Sequence, residues 1–334
     1  MVRARRCLGW ALSFARLSIL NTQWMPVALS LPSWERGASL EHGAPEYLGY
    51  EFTNTIHSDT YDAINPLKSS NHVGHRVFII GASKGIGKRT AIAFAESGAS
   101  SIGLGARSAL DDLAAEVVSA AKKAGHKPPQ VLTVKLDVLD HSSIDGAAKQ
   151  AEQEFGGLDI LVNNAGRLEK TALIVDSDPE DWWYTMEVNI RGVYLSTRAF
   201  LPLLLKGGMK TILNLGSVGA HTARPGFSSY ITTKFAVLKF TEFCMSEYGD
   251  QGILAYAFHP GSVMTELAAR VPKEAHHLFM DTPELAGDTI VWLTQERREW
   301  LAGRYLSCTW DMPELMSRKD EIVQGDKLRV RMVL

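Results

Sequence analysis

Cysteine is scarce in this chain of 334 residues: Cys7, Cys244 and Cys308 are its three thiols, and no two form a CxxC pair. Three well-separated thiols cannot build a disulfide framework and give no thiolate cage for a metal, so a reducing compartment, the cytoplasm, is expected. No run of 18 apolar residues occurs, which argues against a helical membrane span. Neither charge sign dominates, with 35 Lys and Arg against 37 Asp and Glu, so no broad basic field exists for nucleic acid. Acids are missing from one place in particular. Before Glu35 the chain carries Arg3, Arg5, Arg6 and Arg16 and no Asp or Glu. That bias fits a plain extension and equally a mitochondrial presequence, while CLGWALSFA (7–15) lacks the clear cleavage site of a secretory signal. With Pro26, Pro32 and Pro45 and no sustained periodicity, residues 1–45 are expected to be poorly ordered, and 46–70 to form a lead-in packed on the main domain.

What the chain has in plenty is alternation. Buried-strand runs appear at 76–80, 101–106, 130–138, 159–166, 209–217, 252–261 and 303–308, separated by helical patterns at 84–98, 110–125, 143–155, 181–206, 228–249 and 282–295. Strands alternating with helices at this spacing imply an α/β domain. The expected fold is a Rossmann-like, doubly wound parallel sheet of about seven strands, with helices on both faces, over residues 71–312. A charged tail is expected from 313 to 334.

Directly after the first strand comes GASKGIG, residues 81–87. Gly81 permits a tight strand-to-helix turn, and Gly85 and Gly87 let a pyrophosphate approach the backbone at a helix N-terminus, with Ser83, Lys84 and Ile86 between them. The spacing is GxxxGxG rather than the commoner GxGxxG. Dinucleotide sites often carry an acid at the end of the second strand for the adenosine ribose. Here Ala106 stands there and Arg107 follows. A guanidinium pairs with a ribose 2′-phosphate that an acid would repel, which favours NADP(H) over NAD(H), with Lys84 as a possible second cation. Arg107 read alone could also be a solvated charge after a strand.

Tyr230 and Lys234, in SSYITTKF, lie one helical turn apart on one face. Such a pair is either a surface tyrosine over a lysine stem or an acid–base couple. Taken with the glycine turn and the NNAG of residues 163–166, in this chain order, it resembles the short-chain dehydrogenase/reductase family over roughly residues 75–310. The extended lead-in and the TWDMPEL segment resemble members from filamentous fungi. The resemblance implies an oxidoreductase moving hydride between nicotinamide and a ketone or secondary alcohol. It assigns Tyr230 as general acid/base, Lys234 as the cation that acidifies it and binds ribose, Ser217 as the group orienting the carbonyl, and Asn189 as support for a proton relay. It further implies that Asp137 and Val138 border adenine and that Asn163, Ala165 and Gly166 support cofactor and sheet. Pro260, Gly261, Val263 and Thr265 would border the nicotinamide and phosphates. Ile80 departs from the family's usual threonine before the first glycine.

A free phenol near pKa 10 is about three units too weak an acid for work near neutrality, which corresponds to about 4 kcal/mol. A cation about 4 Å away at an effective dielectric near 20 supplies about that much. Met264, Leu267, Leu278, Phe279 and Met280 would wall a pocket for an apolar metabolite, with VPKEAHHLFM (271–280) as a lid. The resemblance also implies a homodimer or homotetramer built on the two long helices. Two alternatives remain at this level: a non-catalytic dinucleotide-binding sensor or scaffold, and an epimerase or dehydratase on the same fold.

Overall fold

The computed structural model describes residues 48–332, so the expectations about residues 1–45 fall outside the described residues. The strands are β1 (Arg76–Ile80), β2 (Ser101–Ala106), β3 (Gln130–Lys135), β4 (Ile160–Asn163), β5 (Thr211–Leu215), β6 (Leu254–His259) and β7 (Tyr305–Ser307). They form one sheet in the order β3-β2-β1-β4-β5-β6-β7, every pairing parallel. The helices are α1 (Pro66–Ser69), α2 (Gly85–Glu96), α3 (Asp111–Lys123), α4 (His141–Phe155), α5 (Pro179–Met186), α6 (Gly192–Leu205), α7 (Ser228–Tyr248), α8 (Pro283–Thr294), α9 (Met312–Ser317) and α10 (Lys319–Gln324). This is the expected Rossmann-like, doubly wound arrangement.

Side chains alternate across a strand, and β1 uses both directions. Val77 and Ile79 enter a core with Phe94 of α2, Val117 of α3 and Ile290 of α8. Phe78 and Ile80 enter a second core with Ile144 of α4, Leu204 of α6 and Cys244 of α7. Both faces of the sheet are therefore covered, which is why its strands read as unbroken apolar runs. Strand order reverses between β1 and β4, and the crevice at their carboxyl ends is where such sheets take ligands.

Three elements differ from the sequence reading. The helix expected at 181–206 is broken: α5 passes into a π-helical turn, Glu187–Arg191, before α6 begins. The third strand stops at Lys135, because Asp137 turns the chain by accepting a bond from the Leu139 amide at 3.0 Å. The segment read as a charged tail carries α9 and α10, whose Met312, Leu315 and Ile322 are fully buried in the first core. Among the described residues no helix is long and apolar enough to cross a membrane.

Candidate active site

The glycine turn is a cradle with no room for side chains at two positions. Gly81 has φ of 84°, and a Cβ there would stand 2.8 Å from the backbone of Ala165. A Cβ on Gly87 would stand 2.3 Å from the Gly81 carbonyl oxygen. Asn164, which the sequence reading passed over, fixes the turn by donating from Nδ2 to that same oxygen at 2.7 Å. The first turn of α2 thus faces the crevice with bare backbone amides, as a pyrophosphate requires. Ser83 and Ile86 are half-buried in the turn, and Lys84 is exposed.

The opposite wall is the loop after β6, containing Pro260, Gly261, Val263 and Thr265. It reaches back to the turn: a Cβ on Gly85 would meet the Thr265 methyl at 3.0 Å. Lys84 Nζ donates to both Glu266 oxygens at 2.7 and 2.9 Å. At the adenosine end, β2 finishes in Ala106, and the exposed Arg107 has Nη1 3.5 Å from the Tyr184 hydroxyl. Val138, Asn163 and Ala165 line a small cleft with Ile80, Val188 and Val193, and Gly166 is exposed at its rim. Asn163 spends its amide on Thr197 Oγ1 and Asn214 Oδ1, at 3.0 and 2.8 Å, tying β4 to α6 and β5.

The reactive groups converge at the ends of β5 and α7. Ser217, extended at φ −166°, leaves β5, and its Oγ accepts from the Gly219 amide at 3.0 Å. Burial pushes the Tyr230 phenol up to about 12, the nearby Ser217 hydroxyl lowers it, and the Glu169 charge adds to the rise. Lys234 is 5% exposed, with Nζ donating to the Leu215 carbonyl at 2.7 Å and lying 5.6 Å from the Tyr230 ring centroid. Burial lowers its pKa to about 8. His259 ends β6 beside it, buried, with Nδ1 lacking a partner; burial and then the His221 and Lys234 charges lower it to about 3.

Asn189 sits in the π-helical turn and its side chain is fully committed. Oδ1 accepts from the Arg167 amide at 2.8 Å, and Nδ2 donates to the Arg167 carbonyl at 2.8 Å and to Thr233 Oγ1 at 3.0 Å. Thr233 in turn donates to the Tyr230 carbonyl. The side chain therefore braces α7 rather than reaching toward Lys234. Arg167 bonds Asp181 and Thr185 of α5, and the Asp181 carboxylate accepts from the Lys170 amide at 2.7 Å. Sequence reading missed this buckle, whose partners are 11 to 18 residues apart, and it missed Glu169. The segment 271–280 packs Val271, Ala275 and Phe279 with Leu168, Phe227, Tyr230 and Leu267. Its histidines bond nearby backbone carbonyls, His276 to Val271 and His277 to Glu274.

A family model described as short chain dehydrogenase matches residues 75–276. A short chain dehydrogenase of Monascus purpureus, mpl6, is 56% identical over 290 residues, covering 87% of this chain and 99% of the relative. A second from Monascus ruber, pigC, is 47% identical and covers 85% of this chain and 94% of its own length. Among solved structures, a 3-ketoacyl-(acyl-carrier-protein) reductase from Brucella melitensis complexed with NADH superposes with a TM-score of 0.62 at 29% identity, covering 71% of this chain and 97% of that one. Matched by the family model over residues 75–276 and by these fungal relatives along nearly their full length, the chain belongs to the short chain dehydrogenase family and is an NAD(P)-dependent oxidoreductase.

Proposed function

We propose that this enzyme interconverts a ketone and a secondary alcohol on a small apolar metabolite with NADP(H), using Tyr230 as general acid/base. The observation that carries the reading is the Lys234 ammonium buried 5.6 Å from the Tyr230 ring, with the Ser217 hydroxyl near enough to lower that phenol's pKa. The bound nicotinamide supplies hydride and, when oxidised, a positive charge near the phenol. The residues that would hold it are the 81–87 turn, Arg107, Asp137, Val138, Asn163, Ala165, Gly166 and the 260–265 loop.

Each side chain then has a task. Ser217 orients the carbonyl oxygen and stabilises charge developing on it. Tyr230 delivers or takes the proton at that oxygen. With a pKa of about 8, Lys234 is mostly protonated at neutral pH. A unit charge about 5.6 Å from the ring, at an effective dielectric near 20, stabilises the phenolate by about 3 kcal/mol. That is about two pH units toward a more acidic phenol. Asn189 serves the proton path by fixing α7 and by the π-helical turn in which it sits, where the regular backbone bonding is interrupted. The apolar residues packed with Tyr230 favour a poorly soluble substrate, and a homodimer or homotetramer in the cytoplasm completes the reading.

Tyr230→Phe tests it. Turnover is expected to fall by about two to four orders of magnitude while NADPH binding, followed by nucleotide fluorescence, is kept. Wild-type kcat in that variant would refute the assignment.

A further inference from the structure

Helix α7, which carries Tyr230 and Lys234, begins without a cap of its own. Its N-cap position is Phe227, which has no side-chain oxygen to offer the first amides. The missing acceptor comes from another part of the chain. Glu169, 4% exposed in the loop after β4, accepts from the Ser229 amide at 3.0 Å, and its two oxygens accept from the Tyr230 amide at 3.1 and 3.0 Å. Among the described residues its carboxylate has backbone amides as partners and no cation; the nearby Arg167 guanidinium is turned to Asp181 and Tyr184. A buried carboxylate with no counter-ion is costly unless amides and a helix dipole hold it, and an N-terminus does both.

We infer that Glu169 is a positioning residue for catalysis: its carboxylate fixes the first turn of α7 and sets a buried anion on the backbone of Tyr230 itself, so that it governs both the place and the acidity of that side chain. This rests on the acid–base reading of Tyr230. Replacing the cap with an intrinsic Ser or Asp at 227 would satisfy the amides but would change the charge or its position, whereas Glu169 ties the helix to the loop that also grips Asn189. The groups facing Tyr230 can be named by element. Ser217 faces it from the end of β5, Lys234 from its own helix and Glu169 from the loop after β4, while the residues packed on it from Leu168, Phe227, Leu267 and the 271–280 segment are apolar. His259, buried at the end of β6, feels the charges of His221 and Lys234. The direction agrees: the Glu169 charge raises the phenol, in the same sense as its burial and against Ser217. It therefore adds to the burial that holds the Tyr230 proton.

The test is Glu169→Gln, which keeps an acceptor and removes the charge, beside Glu169→Asp and Tyr230→Phe. Tyr230 is titrated without nucleotide by NMR of Cζ-labelled tyrosine, its signal assigned by its loss in Tyr230→Phe. In Glu169→Gln the midpoint is expected to fall by about one unit. The alkaline limb of ketone reduction should fall with it. Glu169→Asp, with its carboxylate drawn back by one methylene, should give a smaller fall, and it carries the test should the glutamine variant not fold. An unchanged midpoint in whichever variant folds would overturn the proposal and leave Glu169 as a cap alone. Failure of the underlying reading looks different: Tyr230→Phe would then retain turnover, whatever the titration does.

Discussion

Lys84 and Arg107 are the two cations at the nucleotide end of the crevice, and their surroundings separate their roles. Among the described residues, Lys84 is held by Glu266 across the cleft, whereas Arg107 has only a long contact with a tyrosine hydroxyl. On the NADP(H) reading proposed above, the guanidinium is the group that would meet a ribose 2′-phosphate, and charge-assisted bonds of that kind contribute about 1.5–3 kcal/mol. Arg107→Ala should weaken NADPH binding by about 10- to 100-fold and leave NADH nearly unchanged. A fluorescence titration with both nucleotides decides it, and an unchanged preference would remove the 2′-phosphate role. At this scale local chemistry made the glycine turn and the Tyr–Lys spacing legible, while Ser217 came from the family resemblance. Glu169 and the Leu215 carbonyl on Lys234 were not visible, because they are set by contacts between segments with no shared pattern. One signal was there to be read: a helix opening at Ser228 behind Phe227 needs an acceptor from elsewhere.

Elements were legible where burial is two-sided or amphipathic, as in β1 and β2, whose apolar runs need no tertiary context. The π-helical turn was not, since nothing in MEVNIRGVY distinguishes it from helix; it coincides with the brace from Asn189 to the Arg167 backbone. The C-terminal helices were hidden by their charge. KDEIVQ reads as solvated chain, yet Ile322 is fully buried with Leu315 and Met312, and Arg318 lies over the Phe52 ring at 3.9 Å. The end of the domain therefore clamps the lead-in. Leu315→Ala should cost about 2–5 kcal/mol, the range for truncating a buried leucine, read as a lower midpoint in urea denaturation. A cost below about 0.5 kcal/mol would mean that the clamp is not part of the cooperative unit.

For the molecule as a whole, the buried imidazoles set how folding responds to acid. His72 joins the lead-in to α8: its ring is inaccessible, with Nε2 3.0 Å from the Val291 carbonyl and Nδ1 3.0 Å from His75 Nδ1. Nε2 must donate to the carbonyl, so Nδ1 accepts from His75, and a second proton on His72 would set donor against donor. Burial accordingly lowers its pKa from 6.5 to about 3, opposed by the Val291 bond, and His259 falls as far for the same first cause. A histidine depressed in the folded state leaves stability intact above the unfolded value of 6.5. Below it the unfolded chain binds the extra proton, and stability declines as pH falls toward about 3. At about pH 5 each histidine should have removed about 2 kcal/mol. Asp281 and Asp288, raised by burial, act with the opposite sign and offset part of this, so the wild-type slope is a sum. The variant isolates one contribution. His72→Asn is expected to start less stable at pH 7.5 in urea denaturation, yet to lose about 2 kcal/mol less than wild type on going to about pH 5. Equal losses in the two proteins would show that His72 is not held neutral in the fold, and that the joint between lead-in and α8 tolerates its charge.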